Sequence, residues 1–206
     1  MWASRRISTP YAGKGEIAKG RMRAAAGIIS RNGASGVATT MVMGGHGAGT
    51  MHLYGYFESM THAMQVSANM MNDPAWAQLN AEREMNPSAD VVGPDLARLV
   101  AGAPEPTNTA MMVREYVMPR ENLSAAAAMI PDVQKLTQAQ GVNTTMWAPI
   151  IGADLTRIAV VYSAADIIGL GKGVDEVGMS EAFQAMVNEA AKLSTLDRSF
   201  GMMVFK

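Results

Sequence analysis

The sequence predicts an α+β fold in which the element order β-α-β-β-α-β occurs twice, once in each half of the chain. Three observations predict this fold. A six-residue motif recurs about half a chain apart, strand-like and helix-like patterns follow each other in the same order in both halves, and a segment rich in proline separates the halves. Each observation is taken in turn below.

The motif is GVATTM at residues 36–41, and it returns as GVNTTM at residues 141–146, an offset of 105 residues. The same offset places residues 51–57 over residues 156–162, and both segments have the composition of strands. Three matches in one order, the third between two helix-like segments near residues 76–82 and 183–189, indicate an internal duplication.

The segment 102–107, GAPEPT, has the glycine and prolines of an exposed linker. It divides the chain into a first repeat over residues 1–101 and a second over residues 108–206. Each repeat is predicted to be one copy of the duplicated unit.

The second repeat has the clearer pattern. Apolar residues recur at helical spacing between 123 and 140, with Pro131 inside that run, and Ser180 is predicted to cap a later helix. The predicted elements are, in order, a strand at 110–117, a helix at 123–140, strands at 142–147 and 156–163, a helix after Ser180 and a strand at 200–205.

The first repeat follows the same order less cleanly. Its first strand contains Pro10, which favours an edge position, and its two central strands flank a glycine-rich turn. The predicted elements are a strand at 7–11, a helix at 16–32, strands at 37–43 and 51–58, helices at 60–72 and after 73, and a strand at 96–101.

A β-α-β-β-α-β unit is the ferredoxin-like plan, an antiparallel sheet with both helices on one face. The second face must also be buried, and a tandem copy offers the partner. We therefore expect two ferredoxin-like repeats that close an internal pseudo-dimeric α/β barrel. Duplicated halves that carry Gly-Val-x-Thr-Thr-Met before a turn and a β-branched or aromatic strand resemble the dimeric α/β-barrel superfamily in a fused, two-copy form.

That resemblance implies several kinds of function, because the superfamily includes cofactor-independent monooxygenases, muconolactone-type isomerases, haem-binding relatives of chlorite dismutase and stress-responsive proteins. One expectation is a protein that binds or converts a small, partly apolar organic molecule inside the barrel without a metal. If it is an enzyme, the resemblance implies monooxygenase-like or isomerase-like chemistry. The alternative is a non-enzymatic assembly or stress-type module whose barrel interior is filled by side chains.

Strand alternation identifies the candidate site residues. Along 51–58, one face carries His52, Tyr54, Tyr56 and Glu58, and the equivalent strand of the second repeat carries Arg157 opposite His52 in the alignment. His52, Tyr56 and Glu58 are the predicted catalytic residues, and Tyr54 and Arg157 the predicted ligand-binding residues. Imidazole is a base, donor or ligand near neutral pH, and a buried phenol orients a carbonyl by hydrogen bonding.

Composition excludes other classes of function. Hydrophobic residues form 49% of the chain and charged residues 17%, as in a packed globular protein, and a net charge of -1 gives no electrostatic footprint for nucleic acid or an anionic membrane. The 206 residues contain no cysteine, which removes disulfides, thiolate nucleophiles and cysteine-ligated metals. No apolar run is long enough to span a bilayer, so we expect a cytoplasmic protein.

The three histidines show no metal-ligand spacing, so no metal is expected. No cofactor is expected either, although haem stays open because one axial histidine would suffice. Unpaired sheet edges and methionine-rich helix faces predict a homo-oligomer.

Overall fold

The computed structural model describes residues 1–205, and within that range the chain forms eight β-strands and six α-helices. The strands are β1 (Trp2–Pro10), β2 (Gly36–Gly45), β3 (Met51–Phe57), β4 (Ala89–Ala101), β5 (Ala110–Val117), β6 (Asn143–Ile151), β7 (Arg157–Ala164) and β8 (Thr195–Val204). The α-helices are α1 (Gly15–Arg31), α2 (Met60–Met71), α3 (Pro74–Met85), α4 (Leu123–Gln138), α5 (Ile167–Gly173) and α6 (Glu181–Ala190).

The strands form a closed barrel in the order β1-β3-β2-β8-β5-β7-β6-β4. The pairings within it for which the register is known are antiparallel. The expected α+β class and the barrel are therefore present. By its contacts the chain divides into two compact units, the first built mainly from residues 1–97 and the second mainly from residues 98–203, with the tip of the β2–β3 hairpin (residues 43–48) in the second unit.

In the first unit, α1, α2 and α3 pack on one face of the sheet. Leu53 and Phe57 of β3 are buried against these helices together with Ile29 of α1 and Val66 of α2. This is the face of β3 that alternation predicts to lie under the helices. Gly55 lies between them, and a Cβ there would come within 3.3 Å of Ile29, so the absence of a side chain lets α1 approach the strand closely.

In the second unit, α4 and α6 cover the corresponding face. Ile158, Val160 and Tyr162 of β7 are buried beneath the helices with Ile130 of α4 and Phe183 of α6. Ser180 caps α6 as expected, because its hydroxyl accepts a hydrogen bond from the backbone N–H of Phe183 at 3.2 Å.

Several elements differ from the prediction at their ends. β1 begins at Trp2 and β4 at Ala89, so both are longer than the segments at 7–11 and 96–101. Pro131 lies within α4 and does not end it. The glycine-rich segment near residue 170 forms α5, because the Asp166 carboxylate accepts the Gly169 N–H at 2.8 Å and starts the helix.

We predict that Ile29→Ala lowers the free energy of unfolding by about 3 kcal/mol, because removing a fully buried aliphatic side chain loses its burial and leaves a cavity. Ile29 is 1% exposed, whereas Ile17 of the same helix is 40% exposed. Ile17→Ala is therefore the matched control, with an expected change below about 1 kcal/mol. Urea-induced unfolding of both variants checks this, and equal losses would show that α1 is not anchored as described.

Candidate functional site

Three of the predicted site residues form a row along β3. His52, Tyr54 and Tyr56 alternate with the residues that pack under the helices, so they lie on the face of the strand that the helices leave uncovered. The Tyr54 and Tyr56 rings stack at a centroid distance of 6.4 Å, and the His52 ring meets Tyr54 edge-on at 6.0 Å. The structure therefore brings these three side chains together.

His52 is almost fully buried, at 4% exposed, and both ring nitrogens have polar neighbours. Its Nδ1 lies 3.1 Å from the Tyr54 hydroxyl, and its Nε2 lies 3.4 Å from Oγ1 of Thr50. These contacts hold the imidazole in one orientation at the hairpin end of β3.

Burial is the main cause of the altered acidity along this row. Burial, with a smaller contribution from the positive charge of Arg5, lowers the pKa of His52 to about 4. Burial also raises the pKa of Tyr56, with a smaller contribution from Tyr54. At neutral pH the row is therefore uncharged, and it offers hydrogen bonds without offering charge.

Glu58 and Arg157 have surroundings of their own. Glu58 follows the end of β3 with an exposed side chain, and its backbone N–H donates to Nδ1 of His62 at 3.3 Å. Arg157, in the second unit, pairs with Asp197 and lies 3.4 Å from an oxygen of Asp154. Two carboxylates thus already neutralise its guanidinium, and an anionic ligand would have to compete with them.

The second unit contains a cleft that sequence reasoning did not identify. It opens between α4, α6 and the helix-covered face of the sheet, and its cavity volume is about 60 Å³. We call it the phenol cleft; its lining is apolar apart from two tyrosines and one serine, and consists of Tyr116, Met118, Ala126, Met129, Ile130, Val133, Met146, Ile158, Val160, Tyr162, Phe183, Met186, Val187, Ala190 and Ser194.

The phenol cleft takes its name from the hydroxyls of Tyr116 and Tyr162. Among residues 1–205 neither hydroxyl makes a hydrogen bond to protein, and no fully buried side-chain nitrogen or oxygen lacks a partner. The two hydroxyl oxygens are therefore accessible and not fully buried. The Tyr162 ring packs edge-on against Phe183 at 6.1 Å, with the Arg114 guanidinium 5.7 Å from its centre.

The acidity of Tyr162 matches a role as a donor. Burial raises its pKa, the proximity of Tyr116 raises it further, and the positive charge of Arg114 lowers it by less. The phenol therefore keeps its proton at neutral pH and can donate it to a ligand oxygen.

Alternation along residues 156–163 puts Tyr162 on the same face as Ile158 and Val160, but nothing in the sequence shows that the packing stops short of its hydroxyl. Met129 and Met186 are only partly buried because they line the cleft. Glu115 is a further residue that the sequence did not single out, a carboxylate of β5 that is 3% exposed. A charged residue in an apolar strand would have been the signal for it.

Within residues 1–205, no cluster of three or more histidine, aspartate or glutamate side chains is placed to hold a metal. No helix in that range has both the length and the apolar character to cross a membrane.

No family model matches the chain, and no curated protein shows a significant match. Solved structures do resemble it over its whole length. An anthrone oxidase-like protein superposes with a TM-score of 0.62 at 10% identity, covering 100% of this chain and 91% of its own. A proposed monooxygenase from Fusobacterium nucleatum gives a TM-score of 0.62 at 10% identity, with coverages of 100% and 92%.

A haem-binding protein from Thermus thermophilus gives a TM-score of 0.56 at 11% identity, covering 100% of this chain and 91% of its own. Together with the closed eight-stranded barrel, these likenesses decide the fold. The chain has the dimeric α/β-barrel fold. At these identities the likeness establishes architecture, and the function of the barrel has to be argued from its own residues.

Because some structural neighbours bind haem, we asked whether residues of the phenol cleft could ligate haem iron. Its lining offers phenols and methionine thioethers but, among the described residues, no histidine. His62 is engaged elsewhere, with Nε2 2.8 Å from the Gly33 carbonyl oxygen. A neutral Tyr162 is a poor axial ligand, because iron takes the phenolate. Methionine serves as an axial haem ligand together with histidine, which the described lining lacks, so the cleft residues do not fit haem ligation.

We predict that lowering the pH from 6.5 towards 4 destabilises the fold through His52. The unfolded chain binds a proton on this imidazole near pH 6.5, whereas the folded chain binds it only near pH 4, so stability falls as pH falls. Between pH 7 and pH 4.5, protonation of His52 should lower the free energy of unfolding by about 2 kcal/mol.

Urea unfolding at pH 7 and pH 4.5 tests this prediction. His52→Gln should lose about 2 kcal/mol less than the unaltered protein between these pH values. The exposed His46 serves as the control, and His46→Gln should behave like the unaltered protein. Identical losses in the unaltered protein and His52→Gln would contradict the assignment of a buried, neutral imidazole.

Proposed function

We propose that this protein binds a small, partly apolar, uncharged organic molecule in the phenol cleft of its second unit. The observation that carries the proposal is the pair of tyrosine hydroxyls, Tyr116 and Tyr162, that open into an otherwise apolar cleft without a protein partner. Both hydroxyls are accessible and make no hydrogen bond to protein within residues 1–205, so each can donate one to a ligand oxygen.

The lining determines the kind of ligand. No charged side chain among residues 1–205 lines the cleft, so a charged ligand would lose its hydration without compensation. Thioethers and aromatic rings favour a flat apolar body, since methionine adapts to irregular shapes and its sulfur packs against rings. A ring compound with a carbonyl or hydroxyl oxygen between the two phenols meets these conditions.

The same two hydroxyls support one catalytic role, the stabilisation of a developing oxyanion. Two neutral phenol donors stabilise negative charge on a carbonyl or enolate oxygen as it develops. Monooxygenase-like or isomerase-like conversion of the bound molecule is the chemistry we propose, and one structural neighbour is described as a proposed monooxygenase. Within residues 1–205 the cleft lining supplies no carboxylate or imidazole as a base, so conversion there would rely on the two phenols.

The row on β3 remains a second proposed site, inside the barrel. His52 and Tyr56 would act on the ligand, Tyr54 would orient it, and Glu58 and Arg157 would contribute only if their exposed or ion-paired side chains turned towards it. The neutral imidazole supports hydrogen bonding rather than ionic recognition. A barrel whose interior is filled by side chains, acting as an assembly module, is the outcome if neither site binds a ligand.

We also propose that the two units arose by duplication, as repeats over residues 1–101 and 108–206 joined by residues 102–107, and that they form a pseudo-dimer. The element order of the two units supports this, since each contains four strands and the helices between them in the same sequence. Self-association of the whole chain and residence in the cytoplasm belong to the same proposal.

We predict that Tyr162→Phe weakens binding of 1-naphthol about tenfold, because it removes one donor and keeps the ring. The probe combines a two-ring apolar body with one hydroxyl, and its fluorescence reports binding directly. Naphthalene, which lacks the hydroxyl, should bind the unaltered protein and Tyr162→Phe equally.

Two controls locate the effect. Tyr11→Phe removes a hydroxyl that bonds to Asp90 at the surface and should leave the dissociation constant unchanged. His52→Gln should also leave it unchanged if the probe occupies the phenol cleft, whereas a large loss would place the probe at the β3 row. No saturable binding of 1-naphthol would contradict the proposal for both sites.

A further inference from the structure

The first unit contains a cleft of different chemistry, between α1, α3 and the helix-covered face of its sheet. Its cavity volume is about 60 Å³. We call it the arginine cleft, because three of its thirteen lining residues are arginines; the lining consists of Arg6, Ser8, Ala18, Arg21, Met22, Ala25, Leu53, Trp76, Leu79, Arg83, Ser88, Ala89 and Val91.

Arg6 is the unusual residue of this cleft. It lies in the middle of β1 directly opposite Leu53, so its side chain projects from the face of the sheet that carries the hydrophobic core. Its guanidinium carbon lies 5.8 Å from the centre of the Trp76 ring in the first turn of α3. Such stacking compensates part of the loss of hydration, but it supplies no negative charge.

A second arginine increases the positive charge. Arg83 follows Trp76 by seven residues on α3, two turns along, and so lines the same cleft. Burial lowers the pKa of Arg6, and the positive charge of Arg83 lowers it further. The cleft therefore brings together two guanidiniums of like charge.

The third arginine has a structural role. Arg21 of α1 donates to the backbone oxygens of Glu82 and Asn86 at 2.8 and 2.6 Å, and to the Ser88 hydroxyl at 2.9 Å. These bonds attach α1 to the C-terminal end of α3, whose partial negative charge they complement. Arg21 therefore fixes the cleft wall, and Arg6 and Arg83 are the arginines left to meet a ligand.

Neither of these two arginines has an acidic partner in residues 1–205, and no aspartate or glutamate lines the cleft. Several arginines outside the cleft are paired with carboxylates. Arg31 forms a two-pronged pair with Asp73, with distances of 2.9 and 2.8 Å, and Arg157 pairs with Asp197. Arg6 and Arg83 have no such pair within residues 1–205, and they line one cleft together.

We propose that the arginine cleft binds the oxyanion of a small organic acid, a carboxylate or a phosphate ester, between Arg6 and Arg83. Planar guanidiniums bind such groups through two parallel hydrogen bonds, and the partly buried setting strengthens them. The Ser8 hydroxyl, on the same face of β1 as Arg6, is a further donor within the cleft. Trp76 and Leu79 provide an apolar wall for the rest of the molecule.

The two clefts occupy equivalent positions with different chemistry. Arg6 pairs across the strands with Leu53, and Tyr116 pairs with Ile158; Leu53 and Ile158 are 105 residues apart, the offset of the internal repeat. At this shared position the first unit has a cation and the second a neutral phenol. The anion site is therefore separate from the proposed phenol cleft and does not depend on it.

Isothermal titration calorimetry with phenyl phosphate and with benzoate, at constant ionic strength, tests the proposal. Saturable binding of either anion is expected, and the stronger of the two identifies the phosphate or the carboxylate as the recognised group. Arg6→Met and Arg83→Met should each raise the dissociation constant about tenfold or more. Phenol, which has the ring without the anion, should not bind here.

Arg120→Met is the matched control, because Arg120 is exposed in the second unit and its replacement removes the same charge. It should leave the affinity unchanged. Arg83 is less buried than a core residue, so Arg83→Met remains informative if Arg6→Met does not fold. Absence of binding by both anions, or equal binding by Arg83→Met and Arg120→Met, would overturn the proposal. Tyr162→Phe should not affect anion binding, which separates this test from the one on the phenol cleft.

Discussion

The structure depends on one constraint, that helices cover only one face of each strand, so the other face has to be buried by closing the sheet. The eight strands meet this constraint by forming a closed barrel. The threonine pairs of the repeated motif illustrate it. Thr39 and Thr144 face the helices and Thr40 and Thr145 face the other way, yet all four are less than 9% exposed.

Burial on both faces requires polar groups to find partners on both faces. The Thr39 hydroxyl donates to the Phe205 carbonyl oxygen at 2.6 Å, and the hydroxyls of Thr137 and Thr144 lie 3.0 Å apart. Two sets of polar side chains are exceptions. The phenols of the second unit and the two arginines of the first lack such partners, and both sets face clefts beneath the helices.

We therefore expect ligand-binding sites between the helices and the sheet, and not only inside the barrel. Each unit opens a cleft at the same place in its helix–sheet layer, and the lining residues differ in charge. The apolar cleft with its neutral donors suits an uncharged ligand, and the cationic cleft suits an anion. Two units with the same element order can differ in this way because lining residues change without disturbing the strand order.

The sequence predicts the architecture well, because hydrophobic periodicity and the 105-residue repeat report burial directly. Leu53 and Phe57 are on the predicted face for that reason. The ends of β1 and β4 are less accurately predicted, since their polar residues break the alternation on which the prediction relies.

The sequence identifies the clefts poorly. Periodicity shows which face a residue is on, but a cleft forms where packing between two layers is incomplete, and that depends on side-chain volumes from several elements. Arg6 illustrates the difference. Arg5 and Arg6 are neighbours in β1 and lie on opposite faces, but the strand predicted at 7–11 does not include them, and only the fold shows that Arg6 lines a cleft with Trp76 and Arg83.

The central claim, that the phenol cleft holds the ligand, is tested most directly by NMR of the protein with 13C-labelled methionine methyl groups. The 19 methionines report on many parts of the chain. Met118, Met129, Met146 and Met186 line the phenol cleft, whereas Met111 and Met202 lie opposite each other on the face that the helices leave uncovered. Saturating 1-naphthol should shift the first four signals and leave the last two in place; shifts at Met111 and Met202 with the cleft signals unchanged would contradict the account.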